Sequence, residues 1–262
     1  MFKKIEEALS ILESFDGSAQ EFYHQWWSGG QLTNDTHQTG EFTETLFHEP
    51  IKVVKPGQVS SAGFVSNGLQ MVRCNSGELV DSGNGYGMIF RRKSWQTAYW
   101  KWLCTSTPLN QRPDSNILRI YIPSTISEEP SVLERLYEIC EDLELSVTMK
   151  QRLSKGVFSD EFVIWAPEYD LRSVLNAITA IRLSFLTTPP PLTYEYRGIG
   201  LADHPESGES LGMKYSDFLW GFSKGAYTSS LIEAASDSGM NLVSPWILNN
   251  RKSPSEWLEA LT

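Results

Sequence analysis

Apolar residues near the start of the chain recur every three or four positions, which predicts a helix with one buried face. They are Ile5, Ala8, Leu9, Leu12 and Phe15. An aromatic second helix is expected after Ser18, with Trp26 and Trp27 on it, and it should end at the two glycines of positions 29 and 30. Residues 31–48 are polar and aperiodic, which is typical of a long loop. The first 48 residues therefore predict a helical N-terminal lobe.

Between residues 51 and 93 the pattern changes to short runs of β-forming residues separated by glycines. Asn84-Gly85 lies between two of these runs and predicts a hairpin turn. A helix is expected next, with Ser94 as its N-cap and one apolar face. That face would consist of Trp95, Ala98, Tyr99, Trp102 and Leu103.

The second half of the chain alternates between strand and helix patterns. Strands are predicted at 117–122, 144–150 and 161–166, and helices at 130–142, 170–187 and about 213–235. The residues expected to be buried between them are Leu118, Ile120, Val147, Ile164, Leu175 and Ile178.

The mixture of elements predicts an α+β fold, in which a central sheet, mostly antiparallel or mixed, carries helices packed on it. We expect a single domain over residues 1–262, with the helical lobe at 1–48 and an α+β core at 49–262. A domain boundary near residue 48 is the alternative.

The net charge of the chain argues against some classes of binding partner. Its 262 residues include 22 Lys+Arg and 32 Asp+Glu, which gives a formal net charge of −10. This balance argues against general binding to nucleic acids or anionic membranes, because their phosphates would be repelled. A local basic pocket for one phosphorylated group remains compatible with it.

The same sequence predicts the compartment. No run approaches the ~18 apolar residues of a membrane span, so no membrane partner is expected. The N-terminus becomes acidic at Glu6 and Glu7, which does not fit a secretory signal. Three scattered cysteines fit a reducing environment. We therefore expect a cytoplasmic protein.

Several kinds of site lack their signatures. The glycines at 83, 85 and 87 lead into a strand, whereas a phosphate-binding glycine loop leads into a helix. The four histidines have no metal-binding spacing, so neither a metal nor a cofactor is expected. His24 belongs to the aromatic helix, where a structural role is the ordinary interpretation.

Alternation along the strands points to a cationic sheet face. One side of the strand at 117–122 carries Arg119 and Tyr121, and the polar side of the next predicted strand carries Thr148 and Lys150. Arg91 or Arg92 ends a third strand. In an acidic chain such a face is a candidate anion site. A solvated outer face of the sheet is the alternative, and alternation alone favours it.

The segment PPPLTYEYRGIGLADHPESGESLGMKYSDFLWGF adds a resemblance. Its matching pieces are Pro191-Leu192-Thr193, Gly198 to Ala202, Asp203-His204-Pro205 and Gly208-Glu209-Ser210-Leu211-Gly212. Weaker matches are the segments LRIYIPS and TMKQRLSKGVFSDEFVIWAP. Together they resemble the HopA-like type III effector family. Leu211 and the pair Met213-Lys214 depart from that pattern, which usually has Phe and then a basic pair.

The resemblance implies one of two functions. One branch of the family comprises bacterial effectors. The other comprises lyases that act with a kinase-like protein in lanthipeptide and thioamitide biosynthesis, and that remove phosphate from phosphoserine or phosphothreonine to leave dehydroalanine or dehydrobutyrine. The expected partners are then a phosphorylated precursor peptide and that kinase-like protein. The alternative is a non-catalytic HopA-like module that binds a peptide or protein, or a secreted effector.

The lyase interpretation gives roles to six residues. Lys150 would be the base if burial or nearby cations lower its pKa. Arg119, Arg152 and Arg91 would bind the phosphate. By alternation, Arg152 shares the face of Lys150 only if the strand continues that far. Tyr121 would orient the group or donate a proton, and His204 would replace the family's acid.

Overall fold

The computed structural model describes residues 2–29, 45–46, 52–54, 63–66, 69–73, 79–81, 87–90, 92–96, 100–106, 116–125, 132–204, 210–242 and 244–246. Its α-helices are α1 to α6, at Phe2–Glu13, Ala19–Phe22, Val132–Asp142, Leu171–Ala180, Leu211–Ser223 and Leu231–Asp237. A π-helix at Tyr23–Trp27 continues α2, and a 3-10 turn at Glu168–Asp170 leads into α4.

Strands β1 to β7 are Thr45–Leu46, Lys52–Val54, Gly63–Ser66, Leu69–Arg73, Leu79–Asp81, Gly87–Phe90 and Arg92–Gln96. Strands β8 to β13 are Trp100–Cys104, Ile117–Ile122, Thr148–Arg152, Phe162–Pro167, Tyr194–Tyr196 and Ile199–Asp203. They form an eight-stranded sheet in the order β1-β7-β8-β10-β11-β9-β13-β12 and a five-stranded sheet in the order β2-β6-β5-β4-β3. Neighbouring strands are antiparallel. The predicted α+β fold is thereby confirmed.

One face of the eight-stranded sheet carries the core that the sequence predicted. Helices α3 and α4 pack there on the apolar sides of β9, β10, β11 and β13. All six residues expected in this core are buried: Leu118, Ile120, Val147, Ile164, Leu175 and Ile178. The strand predicted at 144–150 begins later, at Thr148, and continues to Arg152.

The opposite face of that sheet is also covered, so its interpretation as a solvated outer face is wrong. Helices α1, α2 and α5 and the π-helix pack over it, and their aromatic side chains reach the sheet. Trp27 is fully buried and contacts Tyr121 on β9 edge to face, with ring centroids 5.9 Å apart. Two layers of helices therefore enclose the sheet, which places its cations between protein surfaces.

The prediction of a helix after Ser94 is wrong, because strands β7 and β8 occupy this part of the chain. Trp95 and Trp102 lie on β7 and β8 and are paired directly across these antiparallel strands. Their rings stack with centroids 5.1 Å apart. Aromatic residues seven positions apart fit a helix face as well as a strand pair, and the cross-strand contact decides between them here.

Two predicted helices are longer than the observed ones. The helix expected at 170–187 ends at Ala180, and Arg182 then adopts a positive φ of 54°. The helix expected at 213–235 is two helices, α5 and α6, because Ser230 opens α6 as the N-cap of a capping box with Glu233. Apolar periodicity continues across such breaks, so it does not reveal them.

In the first half of the chain, β2, β4 and β6 confirm the short strands expected after residue 51. The Asn84-Gly85 turn lies outside the described residues, although β5 and β6 on either side of it are paired antiparallel. Most of the predicted loop at 31–48 also lies outside them, and Thr45–Leu46 within it forms β1. None of the helices in the described part of the chain is long and apolar enough to cross a bilayer.

The packing of α5 against the π-helix predicts opposite effects for two glycines of one helix. A Cβ at Gly212 would lie 2.4 Å from the indole of Trp27, whereas a Cβ at Gly221 would meet nothing closer than 3.5 Å. We expect Gly212→Ala to destabilise the fold by about 1–3 kcal/mol through overpacking. Gly221→Ala should stabilise it by about 0.5–1 kcal/mol, because alanine is the better helix former. Urea unfolding of both variants measures the difference, and equal effects would contradict this packing.

Candidate functional site

The central strands bring the predicted cations onto one face of the eight-stranded sheet. Lys150 on β10 is paired with Val163 on β11, which is paired with Tyr121 on β9. In the next row Trp165 is paired with Arg119. Residues paired across antiparallel strands share a face, so Arg119, Tyr121 and Lys150 point to the same side. This confirms the face that alternation predicted.

Lys150 lies in a cage of three indoles. Its Nζ is 3.5 Å from the ring centroid of Trp100, 5.2 Å from that of Trp102 and 5.5 Å from that of Trp165. Trp102 and Trp165 are stacked with centroids 5.3 Å apart, which continues the stack begun by Trp95. Neighbouring strands hold these rings, so the lysine amine has a defined place on the sheet. Indole faces also attract an ammonium, which keeps the Nζ there when it is protonated.

Burial of Lys150 favours its free amine, against the attraction of the indole faces for the ammonium. Burial lowers the pKa of Lys150 to about 7; the Asp160 charge opposes this lowering, and Arg119 and Arg152 each add a smaller lowering. An ordinary lysine, with a pKa near 10.4, is almost entirely protonated at neutral pH. Here about half of the amines carry a lone pair at that pH, which is the state that a general base needs.

Arg152 lies in a buried ion pair beside this cage. Because β10 continues to Arg152, the guanidinium is on the face of Lys150, and it stacks on the Trp100 ring at 4.5 Å. Its Nη2 donates to Asp160 Oδ1 at 2.7 Å, and both side chains are only 2% exposed. The Nε of Arg152 is buried and has no acceptor among the described residues. One side of the guanidinium is therefore committed to Asp160, and the other retains a donor.

Asp160 also ties the N-terminal helices to the sheet. The Tyr23 hydroxyl donates to Asp160 Oδ2 at 2.9 Å, and the Ser28 hydroxyl donates to the same oxygen at 3.2 Å. Burial and the Asp160 charge raise the pKa of Tyr23, so it remains the donor. The Ser159 backbone N–H donates to the Ser28 carbonyl at 2.8 Å. This network fixes the π-helix directly over the cationic face.

Arg119 and His204 meet at the far side of the same face. The Arg119 Nε donates to His204 Nδ1 at 2.9 Å, and the guanidinium lies 5.5 Å from the Trp165 ring centroid. Arg119 is 3% exposed, so it is nearly enclosed. Tyr121 is buried too, and its hydroxyl has no hydrogen-bond partner among the described residues. Burial raises the pKa of Tyr121, with Arg119 opposing, so its proton is retained at neutral pH.

The structure places His24, which the sequence analysis interpreted as structural, among the candidate site residues. His24 lies in the π-helix, a geometry that often occurs at functional sites, and its Nδ1 is buried without a partner among the described residues. Burial lowers the pKa of His24, Arg152 lowers it further and Asp160 opposes. The segment YHQWW contains no pattern that indicates this position, because it depends on residues over a hundred positions away.

Glu161 is the second titratable group that sequence reasoning missed. Burial raises its pKa to about 7, against the opposing effects of Arg152 and of the Ser124 hydroxyl, which donates to its Oε2 at 3.2 Å. Arg91 lies outside the described residues. In the described ranges no group of three or more His, Cys, Asp and Glu side chains is arranged to hold a metal ion.

The predicted residues thus fall into two groups around the indole cage. Lys150 and Arg152 are on β10, and Arg119, Tyr121 and His204 lie toward β9 and β13. Antiparallel strands about 4.8 Å apart put these groups on the order of 10 Å from one another. At this separation, one phosphorylated residue of a substrate could contact Arg119 with its phosphate and Lys150 with its α-proton.

Comparisons with known proteins support the fold and leave the chemistry open. No protein-family model matches the chain, and no curated protein sequence matches it. A solved structure described as the effector protein from Pseudomonas syringae pv. tomato strain DC3000 is similar, with a TM-score of 0.51 at 11% identity. The match covers 95% of this chain and 97% of that one. At this identity the likeness concerns the fold alone.

Lys150 is partly buried, and we expect the fold to become more stable when its charged group is removed. Lys150→Met replaces the amine by an apolar group that packs against indoles, and we expect about 1–3 kcal/mol of added stability at pH 6 to 7. The folded pKa of Lys150 is about 7 and the unfolded value is higher, so wild-type stability rises between these two pH values. The advantage of the variant should therefore shrink toward pH 10.

Urea unfolding at pH 6, 8 and 9.5 measures this dependence. Lys4→Met is the matched control, because Lys4 is exposed on α1 and its replacement should change stability by less than about 0.5 kcal/mol at every pH. If Lys150→Met is less stable than wild type at pH 6, the charge of Lys150 does not lower the free energy of unfolding, and the prediction is wrong.

Proposed function

We propose that this protein is a phosphoserine/phosphothreonine lyase of the HopA-like kind, acting on a kinase-modified precursor peptide. Its product would be a peptide that contains dehydroalanine or dehydrobutyrine. The observation that carries the proposal is the caged Lys150, whose pKa of about 7 makes it a base at neutral pH on the same sheet face as Arg119. The likeness in fold to a Pseudomonas syringae effector protein agrees with the resemblance in sequence.

The reaction is a β-elimination, and it needs three functions of the protein. A base removes the α-proton of the phosphorylated residue, the electrons of that C–H bond form the Cα–Cβ double bond, and the Cβ–O bond breaks as phosphate leaves. Cations stabilise the charge on the departing phosphate. In the proposal Lys150 Nζ accepts the proton, and it is poised to do so because half of it is uncharged before the substrate binds.

Arg119 is the proposed phosphate clamp, since a guanidinium matches two phosphate oxygens at once. His204 accepts from its Nε and so positions the guanidinium. Because Arg119 is almost enclosed, phosphate binding in this proposal requires its cover to open. The Nε of Arg152 would supply a second contact, with Asp160 holding the rest of that side chain in place.

Tyr121 is the proposed hydrogen-bond donor to the leaving oxygen. It is paired through Val163 with Lys150 and neighbours Arg119 on the same strand. Its pKa is raised, so it carries a proton throughout the neutral range, and its hydroxyl has no competing acceptor among the described residues. His204 would then act on Arg119 rather than on the leaving group. A separate kinase-like protein would deliver the phosphorylated peptide.

A second candidate function is a non-catalytic HopA-like module that binds a peptide or protein, or acts as an effector. The observation that favours it is the similar structure, which is described as an effector protein. In that case the cationic face would bind a phosphorylated or acidic group without reacting with it. Lys150 separates the two functions, because only the lyase requires its free amine.

Incubation with a phosphorylated precursor peptide, with and without a kinase-like partner, tests the proposal. Elimination should remove ~98 Da per phosphate and leave an alkene that thiols trap. The rate should rise with pH through about 7, following deprotonation of Lys150. Hydrolysis to a free hydroxyl would mean phosphatase chemistry, and binding without any mass change would favour the non-catalytic module.

Two variants assign the roles. Lys150→Met should lose at least about 100-fold in rate, the usual contribution of a general base, while phosphopeptide binding persists. Arg119→Gln should weaken binding of the phosphorylated peptide far more than that of the unphosphorylated one. Lys101→Met is the control, because Lys101 lies on the neighbouring strand β8, faces the other side of the sheet and contacts Glu134. Near-wild-type turnover by Lys150→Met would refute the assignment of the base.

A further inference from the structure

A small pocket opens on the side of the sheet away from Lys150, between the end of α4 and the turn that joins β12 to β13. Its volume is about 180 Å³. Its walls are mostly apolar and include Leu175, Ile178, Leu183, Phe185 and Ile199. A dry cavity of roughly 150 Å³ is large enough to hold benzene. The pocket therefore has room for one aromatic or branched aliphatic group.

Two arginines stand at this pocket, Arg182 and Arg197. Both side chains are exposed, and the Arg197 guanidinium lies 5.2 Å from the ring centroid of Tyr196. They come from two different elements, one from the end of a helix and the other from a hairpin turn. The pocket thus combines apolar walls with two exposed positive charges, although the net charge of the chain is −10.

The backbone at both arginines is unusual for their residue type. Arg182 follows the C-cap of α4 with φ 54°, a position that usually holds glycine or asparagine. Arg197 and Gly198 form the two-residue turn between β12 and β13, with φ values of 50° and 83°. Positive φ at both central residues is the pattern of a type I′ turn, in which Asn-Gly is preferred.

A left-handed backbone is unfavourable for any side chain that has a Cβ. Arg197 has a local contact with the ring of Tyr196, 5.2 Å from its centroid. Asparagine or glycine at either position would adopt the positive φ with less strain than arginine. Both guanidinium groups lie at one pocket and are exposed, so a bound partner can reach them. A bidentate guanidinium contact is strongest with a carboxylate or a phosphate.

We propose that this pocket binds an acidic peptide segment, with one phenylalanine- or leucine-sized side chain in the apolar hole and carboxylates on either side of it on Arg182 and Arg197. Two cations from separate elements around one hole match acidic residues before and after an apolar one. A small molecule with a single carboxylate would satisfy only one of the arginines. The pocket is on the other face of the sheet from the indole cage, so the proposal is independent of the lyase assignment.

The test is calorimetric titration of the full chain with a capped peptide Glu-Glu-Phe-Glu-Glu. Replacing both Arg182→Asn and Arg197→Asn should weaken binding at least 10-fold. The melting temperature should stay the same or rise, because asparagine tolerates the left-handed backbone. Arg172→Asn is the matched control, since Arg172 is an exposed arginine of α4 outside the pocket, and it should bind like wild type.

Matched peptides complete the test. The peptide with serine in place of phenylalanine, and the one with glutamines in place of the glutamates, should each bind at least 10-fold more weakly. Equal affinity of either one would overturn the proposal, as would wild-type affinity in the double variant or no binding of the first peptide at millimolar concentration. If phenylacetate binds as tightly as the peptide, a small aromatic carboxylate is sufficient for binding, and the proposal of a peptide ligand is wrong.

Discussion

The buried ion pair of Arg152 and Asp160 is the constraint on which the rest of the structure depends. A charge out of water needs a partner with good hydrogen bonds, and Asp160 provides them to Arg152 while accepting from Tyr23 and Ser28. One carboxylate therefore joins the N-terminal helical segment to β10 and to the turn before β11. Loss of either member would leave the other charge buried and unpaired, which is among the costliest defects of a fold.

Closure of this face determines the chemistry of Lys150. Helix α5 and the π-helix pack over the sheet, and the partly buried Lys150 amine lies among indoles and near two arginines. A lysine in water would keep its proton, whereas here the free amine becomes competitive at neutral pH. Burial of the amine is therefore what favours the free base, whereas the Asp160 charge of the ion pair opposes it. The opposite face, packed by α3 and α4, has only the ordinary role of a hydrophobic core.

Sequence alone predicted the α+β fold, the central strands and the shared face of Arg119, Tyr121 and Lys150, because period-two alternation is local. It did not predict the cover over that face, since Tyr23 reaches Asp160 only through tertiary packing. It also misassigned Trp95 and Trp102, whose spacing fits a helix until the strands pair. The sequence also did not indicate that His24 belongs to the site, because the residues that surround it, Arg152 and Asp160, are distant along the chain.

Lys150 can act as a base at neutral pH only if its amine loses its proton near that pH inside the indole cage. The most direct measurement is an NMR titration of the lysine Cε–H resonances, with Lys150→Met used to assign the signal. We expect a midpoint for Lys150 near pH 7, well below those of the exposed lysines. A midpoint near 10.4 would contradict it, because the caged amine would then be an ammonium throughout the range in which the base has to act.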